Sequence, residues 1–202
     1  SGLTMSKAYD TEILSVGTEL LLGHVTNTDA RDISEMLSKI GVNVRYHTVV
    51  GDNPQRLEDC VKVAKERADI IITTGGLGPT CDDLTKQILA RAFGLELVRN
   101  EAEYQGLYEY IQTGRMFTPN NFQQAMLPEG CTVFHNEWGT APGCAFEKDG
   151  KTVRSYEWVR YASLRGTGIN GGMGKMLKAF IDDVHPDDVM SYADASWSSG
   201  DV

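Results

Sequence analysis

The feature that most constrains this 202-residue chain is a repeated switch between two hydrophobic periods in its first half. Residues 12–17 (EILSVG) read as a short buried strand that ends at a glycine. Ala30, Ile33, Leu37 and Ile40 then fall on one face of a helix over 27–40, which Gly41 stops. Residues 42–50 alternate as a second strand. Asn53-Pro54 opens a further helix in the cap-then-proline order, with Leu57, Val61 and Ala64 as its buried stripe. Residues 69–74 (DIIITT) form a third, β-branched strand. The glycine loop Gly75-Gly76-Leu77-Gly78 follows, then a helix expected over 82–93 with Leu84, Ile88, Leu89 and Ala92 inward. Strand, helix, strand, helix, strand, helix predicts an α/β fold, a three-layer parallel-type sheet with helices on both faces. Right-handed crossovers bring the strand ends to one edge, where ligands bind.

Beyond residue 97 the pattern loosens. A helix is expected over 101–114, and 116–143 is rich in Pro, Asn and Gly. Asp149-Gly150 marks the turn of a hairpin over 146–153. Further on, a strand over 158–162, a glycine-rich loop over 165–174, an apolar-striped helix over 173–184 and a strand over 188–193 are expected.

Composition narrows the function. Nineteen basic against 28 acidic residues leave a net charge of −9, which argues against binding a nucleic-acid backbone. A small anion held by backbone N–H groups remains compatible with it. No apolar run approaches the roughly 20 residues of a spanning helix, and residues 1–7 have no apolar signal region, so a cytoplasmic protein without membrane contact is expected. Cys60, Cys81, Cys131 and Cys144 are far apart with no CxxC pair, indicating neither a zinc site nor a disulfide framework.

The loop GGLGPTCDDLT, residues 75–85, carries the strongest chemical signal. Glycines between a strand and a helix let several N–H donors converge, and the helix N-terminus adds partial positive charge, so a phosphate suits the place. Asp82 or Asp83 either caps the helix or, beside a phosphate, recruits a magnesium-type cation. Glu19 and Asp52 stand at the ends of the first and second strands, at the same rim, and Asp52 is either a helix-entry residue or a third carboxylate of the site. Glu19 is a candidate for ligand or metal contact. Asn27 and Thr28 are both candidates for capping the next helix, with Thr28 preferred, and Asn27 is also a candidate ligand contact. Cys81 reads as loop filler. His24, His47, His135 and His185 are scattered, and no Ser-His-Asp or Cys-His arrangement is visible. The loop is neither GxxxxGK[ST] nor GxGxxG.

Five ordered motifs, VGTELLLGHVTNTDA, VGDNPQRL, TTGGLGPTCDDLT, TPNNFQQAMLPEG and NEWGTAPG, resemble the N-terminal domain of the CinA family (competence/damage-inducible protein A) over residues 10–152. The resemblance implies a molybdopterin-binding fold like that of the molybdenum-cofactor biosynthesis proteins. It implies metal-dependent pyrophosphatase activity on ADP-ribose, with Mg, Mn or Co as the divalent cation and a nucleotide or pterin as the ligand. By motif, Asp52, Asp82 and Asp83 become the catalytic and metal-binding acids. Gly75, Gly76, Gly78 and Thr80 become phosphate contacts. Asn121, Gln124 and Gly139, Thr140 through Gly143 become pocket residues. Related proteins are homo-oligomers, and the same is expected here. The family's separate amidohydrolase domain is not expected within these 202 residues, so its deamidase activity is not carried over to them.

The resemblance breaks after Val153, where Arg154-Ser155-Tyr156-Glu157-Trp158 stands in place of a strand leading to an LPGPP-like loop. Two units are therefore drawn, 8–153 as the CinA-like domain and 154–202 as an atypical C-terminal α/β segment. The latter weakly resembles a GNAT-type acetyltransferase fragment. Arg165 and Gly168 fit the acetyl-CoA loop pattern but Asn170 takes its last position, so a fused fragment or structural replacement is expected rather than a working transferase. Three readings of the chain stay open: a pyrophosphatase, a module that binds without cleaving, and a chimera with an incomplete site.

Overall fold

The computed structural model describes residues 9–24, 26–81, 83–114, 118–136 and 139–156. Four parallel strands make the centre of the sheet: β1 (Asp10–Val16), β2 (Asn43–Val50), β3 (Ile70–Thr74) and β8 (Lys151–Tyr156). Antiparallel to β8 runs β7 (Gly143–Lys148), and β6 (Thr132–Phe134) runs antiparallel to β7. The spatial order is β2-β1-β3-β8-β7-β6. A separate two-stranded ribbon pairs β4 (Leu97–Arg99) with β5 (Met126–Pro128).

The burial of each strand follows from its place. Every residue of β3 is buried, as a central parallel strand requires, whereas β2 at the edge is mostly exposed. Leu14, Val16, Ile71 and Val153 face α3 (Pro54–Arg67) and α4 (Thr85–Phe93), against Leu57, Val61, Ala64, Ile88, Leu89 and Phe93. Ile13, Ile70, Ile72 and Tyr156 face α2 (Thr28–Lys39), against Ala30, Ile33, Leu37 and Ile40. Removing each such branched side chain from water contributes about 1.5–3 kcal/mol. This is the three-layer α/β arrangement that the periodicity predicts.

Local chemistry sets the element ends. Asn27, Asn53 and Asn100 each cap a helix, α2, α3 and α5 (Glu101–Gln112), by accepting a hydrogen bond from the amide three residues on. Asn27 is thus the cap of α2, and Thr28, preferred for that role from sequence, is its first helical residue. The β7–β8 hairpin turns at Asp149-Gly150 with φ of 54° and 72°, the doubly left-handed turn the dipeptide predicts.

The structure corrects other expectations. The fourth helix starts at Thr85 and not at 82, because Asp83 is drawn back onto Thr80. The segment expected to be irregular contains a 3-10 helix (Pro119–Ala125) followed by β5 and β6. Strand β8 passes the 153/154 division and places Arg154, Ser155 and Tyr156 in the interior of the sheet. The strands, helix and glycine loop expected after residue 157 lie outside the described residues. Among the described residues no helix is long and apolar enough to cross a membrane.

Candidate functional site

The carboxyl ends of β1, β2, β3 and β8 form one rim, and hydrogen bonds stitch the loops that leave it. Gly17 donates its N–H to the carbonyl of Val50 at 2.9 Å, joining the ends of β1 and β2. Gly75 donates to the carbonyl of Tyr156 at 3.2 Å, joining β3 to β8. Thr18 and Asp52 clasp each other: the Thr18 amide donates to Asp52 Oδ2 and the Asp52 amide to Thr18 Oγ1, both at 3.0 Å. Glu19 sits in the short helix α1 (Thr18–Leu21), exposed, with its carboxylate folded over Gly17. The rim expected from three strand ends therefore exists, with Glu19 and Asp52 on it.

In the loop after β3, the glycines answer to packing as well as to any ligand. Gly75 and Gly76 hold φ of 84° and 70°. A Cβ on Gly75 would stand 2.3 Å from the carbonyl oxygen of Val16, and one on Gly76 would stand 2.2 Å from Thr85 Oγ1. Thr85, fully buried, donates from its amide to Gly76 O and from its hydroxyl to Gly75 O, at 3.1 and 2.9 Å. Asp83 Oδ2 accepts from both the amide and the hydroxyl of Thr80, at 2.9 and 2.5 Å. That carboxylate lies where a Cβ on Gly78 would go. Asp83 thus braces its own loop and caps no helix. Among the described residues no hydrogen bond is seen from the Gly76 or Gly78 amide. Asp82 lies outside the described residues.

Beneath this loop sits the 3-10 helix. Asn121 Oδ1 accepts from the Thr118 amide and hydroxyl, both at 3.0 Å, and its Nδ2 donates to Gln124 Oε1 at 3.4 Å. Gln123 Nε2 donates to the Thr80 carbonyl at 3.1 Å, and Gln124 Nε2 reaches the Leu77 carbonyl at 3.5 Å. Asn121 and Gln124, expected to line a pocket, are buried braces under the glycine loop. Lys86 completes the brace. It is 3% exposed and donates to the carbonyls of Gln124 and Gln123 at 2.7 and 3.3 Å. Sequence reasoning missed Lys86, although it shares a buried stripe with Leu89, Ala90 and Phe93 at spacings of three, four and seven.

The remaining candidates extend the rim. Gly143 opens β7 opposite Phe134, and a Cβ there would press within 3.0 Å of both Ser155 O and the Tyr156 ring. Ahead of it, Gly139 is exposed and Thr140 half-buried, in a segment held by Asn136 Nδ2 donating to the Ala141 carbonyl at 3.1 Å. Because β7 is antiparallel to β8, this segment lies at the same sheet edge as Gly75. Asn27 exchanges hydrogen bonds with Ser15 at the end of β1, at 2.9 and 3.3 Å, which fixes the start of α2 there. In the first turn of that helix, Asp29 was not anticipated from sequence. Burial first, and the Asp32 charge second, raise its carboxyl pKa from 3.8 to about 6. Among the described residues no three His, Cys, Asp or Glu side chains come together as a metal-binding group.

With this geometry in place, a family described as "Probable molybdopterin binding domain" matches residues 12–155. The chain belongs to that family. Putative competence-damage inducible proteins of Bacillus cereus and Acetivibrio thermocellus are each 54% identical to it, over 69% and 70% of this chain and over 34% and 35% of theirs. The chain spans about a third of the length of these curated relatives. The crystal structure of the protein CinA from Thermoplasma acidophilum superposes with a TM-score of 0.72 at 31% identity, covering 88% of this chain and 99% of that one. The family is thus the CinA-like, molybdopterin-binding one that the five motifs suggest. The Mog protein of Mycobacterium ulcerans, at 18% identity and a TM-score of 0.54, shares the fold.

Proposed function

We propose that the rim binds a nucleotide or pterin diphosphate and that the domain hydrolyses ADP-ribose-type pyrophosphates with a divalent cation. The observation that carries the reading is the pair of N–H groups at Gly76 and Gly78, from which no hydrogen bond is seen among the described residues, on an edge where loops from β1, β2 and β3 converge. A phosphate satisfies such donors in a chain whose net charge of −9 would otherwise repel it. In the reaction, water attacks one phosphorus, the bridging P–O bond breaks and two phosphomonoesters leave.

The reading assigns a magnesium-type cation to the rim carboxylates, of which Asp52 and Asp83 are among the described residues. Such ions take one or two carboxylates and fill their remaining positions with water and phosphate oxygens, so a preformed three-carboxylate cage is not needed. Asp52 is exposed, and its known hydrogen bond to Thr18 engages one oxygen. With Asp82 and Asp83 it would hold Mg²⁺, Mn²⁺ or Co²⁺, which supplies Lewis acidity and a more acidic bound water. Thr80 and Thr18 orient the two described carboxylates. The Gly76 and Gly78 amides orient the phosphate.

Measuring ADP-ribose hydrolysis with each of the three cations tests this reading. Turnover abolished by chelator supports it. A folded sample that binds ADP-ribose but shows no turnover with any cation refutes the enzyme and leaves a binding module. One observation favours that second reading: both carboxylates are already engaged, Asp83 by Thr80 of its own loop and Asp52 by Thr18 of the loop after β1. Binding indifferent to chelator decides for it. Self-association into a homo-oligomer belongs to the same proposal, and light scattering on the full chain measures it.

A further inference from the structure

We propose that Thr85 is a positioning residue: its hydroxyl and amide fix the peptide planes of the glycine pair and so aim the Gly76 N–H at a phosphate oxygen of the ligand. This role rests on the reading of the rim as a phosphate site and names the residue that stands behind the contact. Thr85 closes the motif GGLGPTCDDLT, yet it is fully buried and touches no ligand itself. It is the first residue of α4, and the cap position before it belongs to Leu84, whose side chain makes no capping bond. The helix therefore has no use of its own for the Thr85 hydroxyl.

That hydroxyl reaches back across the loop. Thr85 Oγ1 donates to the Gly75 carbonyl at 2.9 Å, and the Thr85 amide donates to the Gly76 carbonyl at 3.1 Å. Across a trans peptide the carbonyl and the N–H that follows it point in opposite directions. A Gly75 oxygen held against Thr85 therefore turns the Gly76 N–H away from Thr85. The second bond holds the next plane in the same sense. On the other side of the pair, the Gly75 amide is tied to the Tyr156 carbonyl at 3.2 Å. The plane that carries the Gly76 N–H is thus anchored from β8 and from α4.

Two neighbouring glycines need such an anchor. At φ of 84° and 70° they have the backbone freedom that lets the loop turn, and the same freedom lets a peptide plane swing. A donor aimed at developing or resident charge is effective only when its direction is fixed beforehand. The fit between the two residues is mutual. Thr85 Oγ1 lies 2.2 Å from where a Cβ on Gly76 would stand, and Val16 Cγ1 closes the other side at 3.2 Å. The hydroxyl thus occupies the volume that a side chain at position 76 would need. Threonine's branched Cβ restricts its rotation, which keeps the oxygen in that place.

The test compares Thr85→Val, which keeps the shape and removes the hydroxyl, with Thr85→Ser, which keeps the hydroxyl. ADP-ribose and inorganic pyrophosphate are titrated into the isotope-labelled full chain while the Gly76 amide resonance is followed by NMR. In the wild type, pyrophosphate should move that resonance. Thr85→Val should bind both probes roughly five- to tenfold more weakly, the scale of one hydrogen bond, and its Gly76 response should shrink. Thr85→Ser should retain both the affinity and the response. A purely structural role would leave the Gly76 response of the folded molecules intact, so a folded Thr85→Val with unchanged affinity or an unchanged response overturns the proposal. Should Thr85→Val fail to fold, the wild type and Thr85→Ser decide: a Gly76 amide indifferent to bound pyrophosphate overturns it, and an equal shift in both supports it. A wild-type chain that binds neither probe refutes the phosphate reading of the rim, and this role falls with it.

Discussion

The buried ammonium of Lys86 donates to the carbonyl oxygen of Gln124 at 2.7 Å, across 38 positions of sequence. Gln124 in turn donates to Leu77 and Gln123 to Thr80, so one lysine on α4 anchors the helix that supports the glycine loop. Lys86→Met removes the donor and leaves two carbonyls inside. Hydrogen bonds to charged groups contribute about 1.5–3 kcal/mol, and a loss of that size is expected in urea unfolding. Amide exchange over 118–125 should rise more than exchange in α3. Equal acceleration in both would show a general loss of stability without a local anchor.

Gly76 and Gly130 share nearly the same left-handed backbone, φ 70° and 73°, but not the same surroundings. A Cβ at Gly130 meets nothing within 4 Å, whereas one at Gly76 strikes Thr85 Oγ1. Alanine at either position costs about 1–2 kcal/mol for the backbone alone. Gly76→Ala adds the collision, and roughly 1–3 kcal/mol more destabilisation than Gly130→Ala is expected. Thermal unfolding of the two variants side by side measures the difference. Matching midpoints would mean that the loop relaxes around the methyl group.

What could be read from sequence divides along physical lines. The strands and helices of the first half were legible because each buries one face, which imposes its period on the residues. The three-residue strands β4, β5 and β6 are too short to show a period, and the 3-10 helix has no apolar stripe to betray it. The rim was legible because Gly17, Gly75 and Gly76 punctuate strand ends. The start of α4 was not, since two adjacent aspartates suggest a cap, and only the structure shows Thr80 capturing Asp83. Glu12, Lys86 and Arg154, all interior, were invisible for a common reason. A charged residue is normally exposed, and the partners that permit burial are remote, such as Arg67 for Glu12 at 2.7 Å across 55 positions.

Asp29 should make stability depend on pH. Its folded pKa is about 6 against 3.8 for an unperturbed carboxyl, so between these values the native state holds a proton that the unfolded state has lost. Its favourable contribution is complete below about pH 4 and disappears as pH rises through about 6. The group is only partly buried, so solvent screening limits the effect to on the order of 1 kcal/mol. Asp29→Asn should flatten this part of the stability–pH curve and gain stability at pH 7. A variant whose curve parallels the wild type would show that Asp29 titrates normally.

Thr80→Val and Asp83→Asn separate the two tasks assigned to the Asp83 carboxylate. Both weaken the contact that closes the loop, and each should lower stability by about 1 kcal/mol. They differ in charge. Valine leaves the carboxylate ionised beside the phosphate site, while asparagine removes the negative charge a cation needs. If Asp83 recruits a cation, Asp83→Asn should weaken Mn²⁺-dependent thermal protection by ADP-ribose at least about tenfold in apparent affinity, as loss of a metal-supporting group does. Thr80→Val should keep that cation dependence, with at most a modest change in affinity from the looser loop. If the carboxylate only braces the loop, the two variants should lose protection in parallel, and adding or chelating the metal should change neither. Titrating ADP-ribose against both proteins, with and without Mn²⁺, distinguishes the cases because the stability losses are matched and only the charge differs.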